Sequence, residues 1–311
     1  MRFLLLSLLL LPSALLLAEE IPDVAAEKIA AHTYVIHGPR ETPTRQNHGF
    51  INNPGFVITA RGVVVIDPGS SLYTGRMVLR QIRLLTDQPV THILNTHIHG
   101  DHWLGNQAFT EVFPEVKLLA HPQMIAEAHA GAATTWVSTM NRLTEGATSG
   151  TRAVIPTQPI DDSGGFSVGG MHFRIFAPRR AHSGTDIMVQ VVEDSVLFTG
   201  DNAFYERIGR MDDGSFQGSI AACDVAIKLN MKVYVPGHGH SGDASRVKVF
   251  RRYLQTLYAE VARLYDQGLS DYEMKPRVVA SLKDYHQWSG FEGEVGKHIN
   301  LAMLEYEKAQ F

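Results

Sequence analysis

The sequence has a single cysteine, no long run of basic residues and no serine-nucleophile motif. Because Cys223 is the single cysteine, the chain can form neither an intramolecular disulfide nor a cysteine-rich structural zinc site. The 28 lysine and arginine residues face 32 aspartate and glutamate residues, which gives a net charge of -4. We therefore expect no nucleic-acid partner, because a sequence-independent binder needs a positive field to neutralise phosphates. With 311 residues, 44% of them hydrophobic, the chain can bury a full core.

The first 18 residues are predicted to be a signal peptide. Arg2 precedes an apolar run over residues 3–18, and the acidic pair Glu19 and Glu20 follows it. A positive start, an apolar stretch too short for a comfortable membrane span and a small residue before polar sequence are typical of export, with cleavage after Ala18. An uncleaved N-terminal anchor is the alternative. We expect the rest of the chain to be periplasmic or secreted, with no stable membrane insertion after cleavage.

Strand-like and helix-like segments alternate along the remaining chain, which predicts one mixed α/β domain. Short β-branched segments bounded by turn formers predict strands over 33–37, 55–59, 62–67, 90–95, 116–120, 171–177, 187–192, 196–199 and 232–235. Apolar residues at helical spacing predict helices over 72–86, 124–130 and 219–229, and a long one that ends at Gly268. Residues 31–242 are predicted to form the domain core, and residues 243–311 to be helices packed on the same domain.

A cluster of metal-ligand side chains directly follows the predicted strand 90–95. His97 and His99 are two apart, so a strand end places both on the same side of the backbone, and the next turn returns Asp101 and His102 toward them. Three imidazoles and a carboxylate form a ligand set suited to Zn²⁺. A chance match to H-x-H-x-D-H in such a chain is on the order of one in several hundred.

Three further candidate ligands, His182, Asp201 and His238, lie at or just after the ends of downstream strands. Each is flanked by glycine or another small residue, which lets the backbone approach a crowded metal centre. Five histidines and two aspartates supply enough donors for two metal ions with three or four protein ligands each. An open position would remain for water.

These motifs resemble, in order, the five motifs of the metallo-β-lactamase-fold hydrolases, over roughly residues 31–242. Segment 62–69, GVVVIDPG, is similar to the first motif, whose aspartate (here Asp67) usually braces the metal-binding loop. The resemblance implies an α/β fold, a four-layer αββα sandwich with the site at the shared edge of two sheets. It also implies two Zn²⁺ ions, the first held by His97, His99 and His182, the second by Asp101, His102 and His238, with Asp201 bridging both.

The implied activity is hydrolysis by a metal-bound hydroxide, since two Zn²⁺ ions lower the pKa of a shared water. Asp101 would be the catalytic residue that orients this hydroxide. We expect a small-molecule substrate with an ester, thioester, lactone or related carbonyl. Family β-lactamases usually carry cysteine or serine where this chain has Asp201, so β-lactam hydrolysis is the alternative. A non-catalytic, metal-binding periplasmic carrier is the second alternative.

The motif form together with the signal peptide looks most like exported zinc hydrolases associated with quinoprotein or sulfur-oxidation systems. Two segments have open interpretations. Residues 202–218, which contain Arg207 and Arg210, are either a substrate wall where an arginine meets a carboxylate or an ordinary solvated loop. Trp136 and Met140 belong either to a lid or to the packing face of a helix.

Overall fold

Short hydrophobic segments form two β-sheets in the computed structural model, which describes residues 20–161, 164–178 and 180–311. The predicted signal peptide, residues 1–18, lies outside the described residues. In the described part of the chain, no helix has the length and apolar character needed to cross a membrane.

The first sheet has seven strands that pair in chain order. They are β1 Glu27–Lys28, β2 Thr33–Val35, β3 Gly55–Thr59, β4 Gly62–Ile66, β5 Val90–Asn95, β6 Lys117–Ala120 and β7 Gln158–Pro159. The pairs from β1 to β4 are antiparallel and those from β4 to β7 are parallel. The helices that accompany this half are α1 Leu72–Arg83, α2 Gly100–Trp103, α3 Asn106–Val112, α4 Pro122–Glu127 and α5 Ala133–Leu143, with a π-helical turn Ala128–Ala132 between α4 and α5.

The second sheet has five strands in the order β12-β11-β10-β9-β8. They are β8 Gly165–Val168, β9 Met171–Phe176, β10 Met188–Val191, β11 Val196–Phe204 and β12 Val233–His238. The β11–β12 pair is parallel and the others are antiparallel. The helices of this half are α6 Phe216–Lys228, α7 Ser245–Tyr265, α8 Asp271–Ser281 and α9 Phe291–Lys308, with a 3₁₀ turn Lys283–Tyr285 before α9.

Alternation along the strands divides the hydrophobic residues between separate cores. In β4, Val64 and Ile66 belong to the core between the two sheets, where they join Phe198 of β11. Val63 and Val65 belong to the core that the first sheet shares with α1 and α3. Because successive strand side chains point to opposite faces, one strand contributes to both layers. A third core joins the second sheet to α6 and α7, so the predicted αββα sandwich is confirmed.

Two predicted strands continue further than expected and carry site residues with them. β11, predicted to end at residue 199, runs to Phe204, so Asp201 lies inside a strand. β12 ends at His238 rather than at residue 235. The two strands pair side by side, with an irregular register around Gly200. This pairing extends both strands, and a single sequence does not show it because the partner lies more than 30 residues away.

The C-terminal helices share their apolar core with the second sheet. Phe250 and Leu254 of α7 and Ile299 of α9 lie in one cluster with Tyr234 of β12. Glu305 of α9 also accepts hydrogen bonds from the first N–H groups of α6, where a carboxylate is favoured by the exposed helix dipole. The boundary between a core of residues 31–242 and helices of residues 243–311 stays a prediction.

A buried histidine joins α9 to the segment after β11. His298 Nε2 donates to the carbonyl oxygen of Gly209 at 3.0 Å, and Nδ1 accepts from the Tyr253 hydroxyl at 2.8 Å. The side chain is 1% exposed. Burial lowers the pKa of His298 to about 4, since the charged form loses its hydration.

We predict that His298 makes the protein less stable as the pH falls from about 6.5 to about 4. Within this window the unfolded chain binds the proton more tightly than the folded chain, so protonation favours unfolding. His298→Gln lacks this effect. The stability advantage of the wild type over the variant should therefore shrink by roughly 3 kcal/mol between pH 7 and pH 4. Urea unfolding of both metal-free proteins at several pH values measures it; a pH-independent difference would contradict the prediction.

Candidate metal centre

The turn after β5 places four predicted ligands at one edge of the first sheet. The chain leaves β5 at Asn95 and enters α2 at Gly100, and the indole N–H of Trp103 closes the turn by donating to the carbonyl oxygen of Ile98 at 2.8 Å. His97, His99, Asp101 and His102 are all buried. A buried imidazole or carboxylate needs a partner, so this turn must be satisfied from elsewhere in the fold.

The seven predicted ligands come together in two groups. The members of each group offer one ligand atom apiece, and these atoms lie within 4.8 Å of one another. The first group contains His97, His99, His182 and Asp201, and the second contains Asp101, His102 and His238. The structure thus brings all seven residues to one place, while their roles as ligands stay a prediction.

Asp201 lies between the two groups. One of its carboxylate oxygens, Oδ2, is 3.4 Å from His182 Nε2 in the first group and 3.4 Å from His238 Nε2 in the second. The other oxygen, Oδ1, is 3.2 Å from His102 Nε2. Within the second group, Asp101 Oδ2 lies 3.3 Å from His238 Nε2. A single carboxylate therefore borders both sets of imidazoles.

The outward ring nitrogens of four histidines contact oxygen atoms that set the orientation of each ring. His102 Nδ1 donates to Asp67 at 2.8 Å, and His238 Nδ1 donates to the carbonyl oxygen of Ile51 at 2.7 Å. His97 and His99 contact the Thr96 hydroxyl and the Asp213 carboxylate in the same way, both at 3.0 Å. Because the outward nitrogen of each ring carries the proton, the inward nitrogen presents a lone pair.

Asp67 braces this turn, as the resemblance implies. Its carboxylate accepts from the backbone N–H and the hydroxyl of Thr96 at 2.8 and 2.7 Å, in addition to His102. Its own backbone has a φ of 52°, a left-handed conformation that costs energy for a residue other than glycine. Such strain persists where the surrounding contacts over-determine the conformation, which is the case here.

The charges at the centre favour a bound cation. Burial lowers the pKa of His97, and lowers that of His182 to about 3, so both are neutral imidazoles. Burial raises the pKa of Asp201, but His238 and His102 outweigh this effect and hold it well below its usual value. Burial likewise lowers the pKa of His102, yet Asp201 and Asp101 raise it well above its ordinary value. Buried carboxylates here draw a positive charge, which a proton or a metal ion can supply.

Atoms without hydrogen-bond partners point in the same direction. His97 Nε2 and Asp201 Oδ1 are among the buried side-chain atoms of the described residues that have no hydrogen-bond partner. An unpartnered lone pair at such a depth is costly unless an ion uses it. The donor set of imidazoles and carboxylates therefore fits a divalent metal ion.

Glycine allows β12 to approach Asp201 closely. A Cβ atom built on Gly237 would lie 1.9 Å from Asp201 Oδ1. No larger residue fits at this position without moving the carboxylate. The choice between two neighbouring histidines is also decided here, since His238 is buried at the centre whereas His240 is exposed and contacts Glu206.

A sequence model of the metallo-beta-lactamase superfamily matches residues 49–238, which is more than half of the chain and includes all seven candidate ligands. The chain belongs to this superfamily. It is a metal-dependent hydrolase, as its family, its donor set and its metallo-hydrolase relative indicate.

Two curated relatives match the sequence. A probable metallo-hydrolase of Streptococcus pyogenes serotype M6 is 25% identical over 205 residues, which cover 63% of this chain and 82% of the relative. A linear primary-alkylsulfatase of a Pseudomonas species is 40% identical over 48 residues, which cover 15% of this chain and 9% of that protein.

Solved structures share the fold at low identity. A metallo-beta-lactamase from Pontibacter korlensis has a TM-score of 0.59 and 20% identity, over 75% of this chain and 99% of that chain. The inverting sec-alkylsulfatase Pisa1 from a Pseudomonas species has a TM-score of 0.67 and 15% identity, over 91% of this chain and 50% of that chain. These likenesses establish the superfamily fold.

No sequence pattern indicates a role for Asp213, which contacts His99 from a position 114 residues away. It lies in a segment rich in charged residues, where its neighbour Asp212 pairs with Arg210 instead. The hydrogen bond to His99 lowers the pKa of Asp213, so the carboxylate is ionised and accepts strongly. Only the three-dimensional arrangement distinguishes the two aspartates.

We predict that Asp213→Asn weakens metal binding in this superfamily member by about tenfold or more, because a carboxylate on the outer nitrogen orients a ligand histidine and raises its basicity. Competition with a chromogenic chelator measures the affinity. Asp212→Asn is the matched control, since it removes the same charge from the next residue and should change the affinity by less than about threefold. Equal losses in the two variants would contradict a specific role for Asp213.

Proposed function

We propose that this chain is an exported dinuclear zinc hydrolase of small molecules that carry an ester, thioester, lactone or related carbonyl. The observation that carries the proposal is the position of Asp201, whose carboxylate borders the imidazoles of both ligand groups at 3.2–3.4 Å. Asp201 lies between two sets of three other candidate ligands, an arrangement that suits two ions, and the nitrogen and oxygen donors suit zinc. The first ion would be held by His97, His99 and His182, and the second by Asp101, His102 and His238.

Bound zinc would supply a Lewis acid and lower the pKa of coordinated water toward neutrality. Asp101 is suited to orient the water. Burial raises the pKa of Asp101, but the charge of His102 and the hydrogen bond with His238 outweigh this effect and hold the pKa well below its usual value. The carboxylate therefore stays ionised. Its carboxylate borders the cavity, where it can accept a hydrogen bond from water and align the attack on a carbonyl.

A cavity of about 550 Å³ opens onto the two ligand groups. Ile51, Trp136, Met140, Phe204 and Ile208 form apolar parts of its wall. The ring of Trp136 lies 5.0 Å from that of His99, so α5 covers one side of the centre. These side chains limit the access of bulk water and leave room for a small organic substrate.

Asp201 also separates the main proposal from its alternatives. A carboxylate at this position, rather than cysteine or serine, supports a general hydrolase over a β-lactamase. Non-catalytic relatives typically lose ligands, whereas this chain retains all seven candidate ligands, which supports an enzyme over a metal-binding carrier. The alkylsulfatase relatives add sulfate esters to the substrates worth testing, because one of them shares its fold with 91% of this chain.

We predict that His97→Ala lowers bound zinc and hydrolytic activity together, since the variant removes a ligand whose inner nitrogen has no other partner. Elemental analysis of the purified mature protein gives the zinc content, expected to fall from two ions toward one or none. Activity should fall at least about 100-fold. His240→Ala is the control, because this exposed histidine lies two residues from His238 and outside both ligand groups. Full activity in a zinc-depleted His97→Ala protein would contradict the proposal.

A substrate panel distinguishes the activities. The zinc-loaded wild type is assayed with an aryl ester, a lactone, a glutathione thioester, a chromogenic cephalosporin and a primary alkyl sulfate. Turnover of the first three, abolished by chelation, supports the proposal. Efficient cephalosporin turnover alone would make the chain a β-lactamase, and turnover of the alkyl sulfate alone would make it a sulfate-ester hydrolase; either result would contradict the proposal. Inactivity on all five with both ions bound would favour the carrier.

Export is tested on the full chain. The apolar run and the small residue at Ala18 support cleavage and release from the membrane. We expect the mature protein in the periplasmic or secreted fraction, with an N-terminus at Glu19 by mass spectrometry. An intact N-terminus in the membrane fraction would instead show an uncleaved anchor.

A further inference from the structure

Arg207 lies on the cavity wall beside His238, three residues after the end of β11. Its Nη1 atom is 3.1 Å from His238 Nδ1. That nitrogen already donates to the carbonyl oxygen of Ile51, so it has no lone pair for the guanidinium. In the described part of the chain, no carboxylate lies within ion-pairing distance of Arg207. Its donors therefore stay available toward the cavity.

The neighbouring cations of the same cavity differ from Arg207. Arg210 Nε donates to Asp212 at 2.8 Å, and Lys297 Nζ donates to Glu294 at 2.9 Å. Arg142 at the end of α5 is exposed, where water screens its charge. Arg207 is half-buried beside a ligand histidine, so an anion that it binds is held in a site of low dielectric, close to the reacting group.

The backbone of Arg207 is held by the C-terminal part of the chain. On its two sides, Ile208 N–H donates to the carbonyl oxygen of Ser289 at 2.8 Å, and Ser289 N–H donates to that of Glu206 at 3.1 Å. Ser289 lies outside the family match, which ends at residue 238. Rigid placement of a cation lowers the entropy cost of binding its ligand.

The charges opposite Arg207 belong to the metal centre. Burial lowers the pKa of Arg207, and the charges of Asp101, Asp201 and, to a smaller extent, Glu294 oppose this effect. Two divalent ions would neutralise the two aspartates. The guanidinium would then be left with a positive charge at the cavity wall and would attract an anion.

We propose that Arg207 binds an oxyanion group of the substrate, so that this hydrolase acts on esters or related carbonyl compounds that carry a carboxylate or sulfonate near the scissile bond. The inference rests on the proposed function and adds the charge of the substrate. A guanidinium binds such groups through paired, charge-assisted hydrogen bonds.

A set of aryl acetates with one charge difference tests the proposal on the zinc-loaded protein. The substrates are 4-acetoxybenzoate, 4-acetoxybenzenesulfonate and the neutral 4-acetoxybenzamide, which all carry the aryl acetate as their single ester. We expect Arg207→Gln to lower kcat/KM for the anionic esters by about tenfold or more, mainly through KM. The neutral ester should change by less than about threefold. Partial recovery of kcat/KM for the anionic esters in Arg207→Lys would support the proposal, because lysine keeps the positive charge without the planar guanidinium.

Two further variants separate binding from structural roles. Arg210→Gln removes the same charge from the same cavity, but its guanidinium already pairs with Asp212, so the preference for anions should change by less than about threefold. Glu294→Gln removes a nearby negative charge and should strengthen the preference for anions. If Glu294→Gln instead reproduced the effect of Arg207→Gln, Arg207 would serve as its partner and the proposal would be overturned.

Binding provides a readout that does not depend on turnover. Calorimetric titration with 4-hydroxybenzoate should give a Kd about tenfold or more higher in Arg207→Gln than in the wild type, while the neutral 4-hydroxybenzamide, which has no ester, should bind both proteins equally. Loss of zinc from Arg207→Gln, or an unchanged preference for anions in an active enzyme, would overturn the inference and leave the hydrolase proposal standing. Arginine-dependent binding of 4-hydroxybenzoate without hydrolysis of any ester would support anion binding by Arg207 and contradict the hydrolase proposal.

Discussion

The carboxylate of Asp201 is buried at 3.2–3.4 Å from three imidazole nitrogens that belong to two ligand groups. Neither the negative charge nor the lone pairs around it are stable at this depth without positive charge between them. The inward lone pairs exist because the outer nitrogen of four rings is held by an oxygen from another segment. The centre thus depends on contacts with the Asp67 loop, the carbonyl of Ile51, Thr96 and Asp213.

The two sheets bring these segments to one edge. β5 delivers the turn with four ligands, while the parallel strands β11 and β12 deliver Asp201 and His238 side by side. The close approach of β12 to the Asp201 carboxylate requires glycine at position 237, because there is no space for a Cβ atom beside the carboxylate. The hydrophobic core between the sheets holds the strands in place, so the positions of the candidate ligands depend on the packing of side chains that are not ligands themselves.

The C-terminal helices contribute to the centre although they lie outside the family match. They share a core with the second sheet, and His298 and Ser289 hydrogen-bond to the backbone of residues 206–209. This segment carries Arg207 into the cavity. The superfamily part of the chain therefore supplies the candidate metal ligands, and the C-terminal part positions a wall of the cavity beside them.

Strand periodicity predicted a mixed α/β domain, and the H-x-H-x-D-H spacing and the strand ends marked the seven residues at the centre, because strand alternation and turn geometry act over a few residues. The four-layer sandwich was predicted from the resemblance to the family. Longer-range features were missed. Asp213 has the same local character as Asp212, and the extension of β11 to Phe204 depends on a distant partner strand. The sequence by itself determined which donors are available and where strands deliver them. Tertiary structure decided which nitrogen of each ring faces inward, and it left Arg207 without a carboxylate partner among the described residues. Both depend on atoms that are neighbours in space and far apart along the chain.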